Sequence, residues 1–183
     1  MSVPFGLIAG AVIFVMGTLG KNKVEDAVIA SSDEFTLYDP LFRKYGGAGW
    51  ARLKAICMNE SSLGRHPKVA RGIENPSDIE GSKSEDGKSW GLMQMTIPTA
   101  RDYDSTANEV KLNDPEYSIR LASKFVASLE RQFPGNEEFI VKSYNQGAGN
   151  SRKEMRGAIQ GYAQEYWERY QRNRRVIFDK QGV

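Results

Sequence analysis

The chain has 183 residues, a hydrophobic fraction of 40% and a formal net charge of +2, which is room for one domain with a real core plus a short appendage. A charge so close to balance excludes a strong overall field as the basis of function, although arginine concentrates locally in the last third. The single cysteine, Cys57, excludes an internal disulfide. With one histidine beside it, His66 in a loop-like Gly64-Arg65-His66-Pro67 stretch, a Cys/His metal site is not expected, and neither is a cofactor.

Residues 1–20 carry no charged side chain, and the apolar run over residues 3–20 ends at Lys21 and Lys23. At about 1.5 Å per residue such a helix reaches roughly 27 Å, close to the thickness of a bilayer core. A cleaved signal peptide would begin with a basic region that is missing here. A water-exposed or core helix would be weakened by Gly6, Gly10, Gly17 and Gly20. A transmembrane anchor over residues 1–22 fits best, with Gly6 and Gly10 as a small-residue pair for helix packing. The two flanking lysines favour that flank inside.

Residues 23–45 read as a linker and lead-in, with breakers at Asp39-Pro40 and Gly46-Gly47, and residues 46–183 as the folded domain. Trp50, Leu53, Ile56 and Cys57 fall on one face of a helix, so Cys57 is a core residue. Residues 61–89 are polar and rich in Gly, Ser, Pro and Asp, a long loop or small irregular β region. A short helix is expected over 92–102. Asp114-Pro115 opens the clearest helix of the chain, with an N-cap followed by proline at the first position. Ile119, Ala122, Phe125, Val126, Leu129 and Phe133 then recur at helical spacing, and Pro134-Gly135-Asn136 stops them. A further helix carries Phe139, Ile140 and Tyr144 up to Gly147-Ala148-Gly149, and another covers about 155–176. The expected fold is mainly α.

Three segments carry candidate chemistry. Met58-Asn59-Glu60-Ser61-Ser62 sets a carboxylate at the end of an apolar stripe. Gly91-Leu92-Met93-Gln94 is followed closely by Pro98-Thr99-Ala100. Ser143-Tyr144-Asn145-Gln146-Gly147 lies at a helix end. A carboxylate entering an apolar cleft is desolvated, which favours its protonated form, and an acid protonated near neutral pH can donate to a glycosidic oxygen. Taken alone, segment 58–62 is equally explained by a solvated helix-terminal glutamate, and Tyr144 by a core tyrosine.

Taken together and in this order, the segments resemble the lytic transglycosylases of the soluble-Slt type, within the lysozyme-like superfamily. The Asp114-Pro115 helix start also matches, and the resemblance covers roughly residues 48–172. Departures are a longer gap between Glu60 and Gly91, Ser118 in place of the usual Asn, and Ser143 in place of the usual Ala. Ser84 is the best match for the family's serine before the turn, at a spacing about one residue too long.

The resemblance implies a lysozyme-like domain that cleaves peptidoglycan glycan strands at the MurNAc–GlcNAc bond. Glu60 would be the catalytic acid and base. Ser61, Ser84, Met93, Gln94, Tyr144 and Asn145 would be the substrate-binding residues, with Tyr144 bonding near Glu60 or the acetamido group. The rival on the same fold is a muramidase using Glu85 or Asp86 as second carboxylate. The rival class is a non-catalytic, structural or peptidoglycan-binding component. The expected setting is a membrane-anchored protein acting on the periplasmic cell wall, in a phage virion that delivers its genome or in bacterial secretion machinery, alongside other subunits of that assembly.

The basic tail (Arg152, Lys153, Arg156, Arg169, Arg172, Arg174, Arg175) is interleaved with Tyr162, Tyr166, Trp167 and Tyr170. Glu154, Glu165 and Glu168 offset its charge, so it reads as a solvated helix face with aromatics in the core or sugar groove, and no specific nucleic acid is expected.

Overall fold

The computed structural model describes residues 33–64 and 88–182. Eight α-helices in these residues surround a two-stranded hairpin: α1 (Asp39–Gly46), α2 (Trp50–Ser61), β1 (Ser89–Trp90), β2 (Met95–Thr96), α3 (Ile97–Arg101), α4 (Glu109–Leu112), α5 (Pro115–Gln132), α6 (Glu137–Gln146), α7 (Ala148–Met155) and α8 (Gln164–Gln181). The architecture is mainly helical, as expected. No helix among the described residues is long and apolar enough to cross a membrane, and the apolar run over residues 3–20 lies outside them.

Helix α2 is the central element. It is buried along nearly its whole length, with Ala55, Ile56 and Cys57 fully enclosed, and packs chiefly against α8 and α1. The stripe of Trp50, Leu53, Ile56 and Cys57 is core as the spacing predicts. Burial pushes the Cys57 thiol up to about 12, which makes it an inert core residue. The lead-in expected to run to residue 45 is helical from Asp39 and puts Phe42 into the core. Lys54 is fully buried beneath it, its Nζ 2.6 Å from Asp39 Oδ1 and 3.7 Å from the centre of the Phe35 ring. Gln181 of α8 contacts both members of that ion pair, so the two ends of the described chain meet over α2.

Helix α5 starts where its sequence says. Asp114 Oδ1 accepts from the Tyr117 amide at 2.6 Å and Pro115 occupies the first turn. Ile119, Leu121, Ala122 and Leu129 are buried against α6 and α1. Asn136 caps α6 in the same way, accepting from Phe139 N.

Two helix boundaries differ from expectation. The helix expected over 92–102 begins only at Ile97, because residues 91–94 form a tight reversal. Gly91 and Gln94 both take positive φ (+70° and +47°), and Gln94 N donates to Gly91 O. The chain runs back as β2, pairing Trp90 with Met95, before Thr96 caps α3 and Pro98 enters its first turn. The helix expected over 155–176 begins only at Gln164 and runs on to Gln181. α7 ends at Met155, the chain reverses at Gly157 (φ +66°), and α8 starts at Gln164.

Candidate active site

A groove of about 320 Å³ opens between the end of α2, the hairpin, α5 and the C-terminal end of α6. Glu60 stands in it as the single carboxylate among the described lining residues. Its position follows from how α2 stops. Ser62, Leu63 and Gly64 all take left-handed backbone. Ser61 is fully buried, donates to Leu92 O at 2.7 Å and accepts from Gly64 N at 3.0 Å. The helix end is thereby fastened to the hairpin turn, and the preceding residue, Glu60, is left at the groove.

The Glu60 carboxyl is held from α8. Tyr166, which is 5% exposed, donates its hydroxyl to Glu60 Oε1 at 2.6 Å. Asn59 holds that tyrosine in place by donating to the Tyr166 carbonyl at 2.9 Å, and Asn173 donates to Asn59 Oδ1 at 2.8 Å. Desolvation pushes Glu60 from its ordinary 4.5 up to about 7, against the opposing effects of the Tyr166 hydrogen bond and the Arg169 charge. Because Tyr166 occupies Oε1, Oε2 is the oxygen left to carry a proton toward the groove. An acid of this strength is half-protonated near neutral pH and can both give and take a proton there.

The walls come from the other two segments. Gly91 is required at the hairpin turn, since a Cβ there would lie 1.7 Å from Leu112 O on backbone of positive φ. Gln94 folds its side chain back, donating from Nε2 to Gly91 O at 2.8 Å, and lines the groove. Tyr144 and Asn145 line the opposite side. The Tyr144 ring packs on Phe125 with centroids 5.1 Å apart, and its hydroxyl donates across to Met93 O at 2.9 Å. That bond joins α6 to the hairpin. Burial, then the Glu60 charge, raise the Tyr144 phenol well above its ordinary range.

Glu60, Gln94, Tyr144 and Asn145 are therefore brought together around one groove. Two expected contact residues are not. The Ser61 and Met93 side chains are completely buried. Ser61 acts as the fastener just described, and Met93 fills core while its backbone receives Tyr144 and donates to Ser118 Oγ at 3.2 Å. Ser118 thus supports the turn in the place where the family's Asn was expected. Of the two bonds expected of Tyr144, near Glu60 or to the acetamido group, its hydroxyl makes neither within the protein and donates to Met93 O. Ser84, Glu85, Asp86 and His66 lie outside the described residues. Asn59 and Phe125 join the site without having been expected there, Phe125 being marked in the sequence only as a helical core position and Tyr166 only as one of the core or groove aromatics. The one signal for Tyr166 is its place in the Tyr162, Tyr166, Tyr170 series on α8 and just before it. Among the described residues no three His, Cys, Asp or Glu side chains converge as a metal site would require.

Comparison with known proteins agrees with this geometry. The chain is 30% identical over 128 residues to the membrane-bound lytic murein transglycosylase F of Alteromonas mediterranea, which covers 66% of this chain and 23% of that protein. Its fold is similar to the crystal structure of the 70 kDa soluble lytic transglycosylase Slt70 from Escherichia coli, with a TM-score of 0.63 at 22% identity over 79% of this chain and 24% of that one. The chain spans about a quarter of the length of each of these relatives. Residues 44–167 match the family described as the transglycosylase SLT domain, which is well over half of the sequence, and the chain belongs to that family.

Proposed function

We propose that this chain is a peptidoglycan lytic transglycosylase in which Glu60 performs both proton transfers. The observation that carries the reading is a largely desolvated carboxyl, the single one among the described residues of a glycan-sized groove, tethered to Tyr166 by one oxygen. Protonated Glu60 gives its proton to the oxygen between N-acetylmuramic acid and N-acetylglucosamine as the bond from that oxygen to the muramic C1 breaks. The resulting carboxylate then takes the proton from the muramic 6-hydroxyl while O6 bonds to C1, closing a 1,6-anhydro ring. Glu60 ends protonated, ready for the next cycle, and no water is consumed. One group of pKa near 7 suffices for both steps, where most glycosidases use two carboxylates. Gln94, Tyr144 and Asn145 are the proposed substrate contacts, and Ser84 joins them on the resemblance alone.

Digestion of purified sacculi followed by mass analysis tests the reaction. The anhydro product is lighter by one water than a hydrolytic product, and Glu60→Gln protein should give no turnover. New reducing ends equal in number to the cuts would establish the muramidase reading, with Glu85 or Asp86 as the second carboxylate. A fully active Glu60→Gln protein would exclude either reaction at this groove.

We also read residues 1–22 as a membrane anchor, with residues 46–183 as the catalytic domain. The support is the uncharged apolar run of residues 3–20. Carbonate extraction of membranes carrying the chain tests it, since an anchored protein stays in the pellet. The narrower setting we propose is local wall opening during phage genome entry. Detection of the protein by mass spectrometry in purified virions is the matching test.

A further inference from the structure

Tyr162 combines two properties that rarely coincide. It is 66% exposed, yet both ends of the residue are tied to one side chain and its carbonyl. Its amide donates to Gln146 Oε1 at 3.3 Å, and its hydroxyl donates to Gln146 O at 3.3 Å while accepting from Asn150 Nδ2 at 3.1 Å. A tyrosine fixed at its backbone and at its phenol has its ring laid across what lies between, here the turn at residues 146–150. The ring is tethered beside that turn and remains largely open to solvent. Gln146 and Gly147 are themselves part of the groove wall, so Tyr162 is fastened to a residue that borders the groove.

The arrangement is braced from beneath. Gln146 is 4% exposed and donates from Nε2 to Ser151 Oγ at 3.1 Å and to Glu154 Oε2 at 2.6 Å. Glu154 in turn is paired with the buried Lys142 at 2.8 Å. Gly161 lets the approach to Tyr162 lie directly on that carboxylate, since a Cβ there would sit 2.0 Å from Glu154 Oε2. Water satisfies an exposed phenol without any such support, so the network fixes the ring, not the hydroxyl. A fixed aromatic face beside a carbohydrate groove is a stacking surface for the C–H face of a pyranose ring, and it gains affinity because its ordering cost is already met.

We propose that Tyr162 is a sugar-stacking platform that extends the groove by one pyranose beyond the residues around Glu60. The proposal rests on the groove binding a β-1,4-linked amino-sugar strand, as read above. It acts on binding of longer strands and not on proton transfer.

Calorimetric titration of the full chain with N-acetylglucosamine dimer and hexamer tests this. Tyr162→Ala should weaken hexamer binding about tenfold, the scale of one aromatic contact, and change dimer binding less than twofold. Tyr162→Phe keeps the ring and should stay within about threefold of the parent, and both variants should melt within a few degrees of it. Hexamer binding unchanged in Tyr162→Ala overturns the platform, as does Tyr162→Phe falling as far as Tyr162→Ala. A parent protein that binds no hexamer also overturns it. The two readings fail separately: a chain that binds hexamer in a Tyr162-dependent way but leaves sacculi uncut refutes the reaction and keeps the platform.

Discussion

Replacing Glu60 with Gln should make the protein more stable, and by an amount set by pH. The native carboxyl titrates at about 7 because burial penalises its charge, while the ordinary value is 4.5. Below the ordinary value both folded and unfolded chains hold the proton and nothing is lost. As pH rises from there, the unfolded chain releases its proton while the folded chain keeps it, so stability falls. The loss is complete above about 7, where it reaches about 3 kcal/mol. Glutamine carries no such penalty, and its Oε1 can still accept from Tyr166. The two proteins should therefore unfold at nearly the same urea concentration at pH 4. The variant should pull ahead through pH 5 and 6 and hold a lead of about 3 kcal/mol at pH 8. In a thermal melt that is a gain on the order of 10 °C for a chain of this size. Taking the difference between the two proteins removes every other titrating group, since all of them are shared. Stability curves that run parallel from pH 4 to 8 would refute the claim that Glu60 is desolvated. The acid would then lack the property on which the proposed chemistry relies.

The other predictions probe the parts that position this acid. Tyr166→Phe removes the donor that favours the carboxylate, so Glu60 should titrate higher still. The descending limb of the pH–activity profile should move to higher pH, with turnover down about tenfold or more; an unshifted profile would mean that Tyr166 only packs. Gly91→Ala should destabilise by at least about 3 kcal/mol in urea unfolding, because the backbone of Leu112 blocks the new Cβ and φ is left-handed there. Ser143→Ala should raise the stability by about 1 kcal/mol, since the Ser143 hydroxyl is buried without a hydrogen-bond partner among the described residues; a loss of that size in a thermal melt would show that the hydroxyl is satisfied by water. Asp114→Ala should cost about 1 kcal/mol in the same assay through loss of the cap on α5.

Most of the order along the chain was legible from local chemistry. The Trp50, Leu53, Ile56, Cys57 stripe, the Asp114-Pro115 helix start and the break near Gly147 are decided by residues close in sequence, and the structure keeps all three. The hairpin at residues 91–94 was read as helix because its cause is not local. Gly91 must be glycine on account of Leu112, an atom some twenty residues away. Motif order was enough to single out Glu60, Gln94, Tyr144 and Asn145, which the fold gathers around one groove.

What the motifs could not separate is contact from support. Ser61 and Met93 sit in the same short segments as the groove residues, yet their side chains are buried, and only the packing of α2 against the hairpin turn reveals it. The strength of Glu60 as an acid is likewise a tertiary property. It depends on the water excluded from the end of α2 and on Tyr166, more than a hundred residues further along the chain. Sequence determined which short segments end at the groove, because caps, breakers and apolar spacing act over one or two helical turns. Tertiary structure decided which of their residues face the groove and how tightly the proton is held, because burial and long-range hydrogen bonds exist only once distant segments meet.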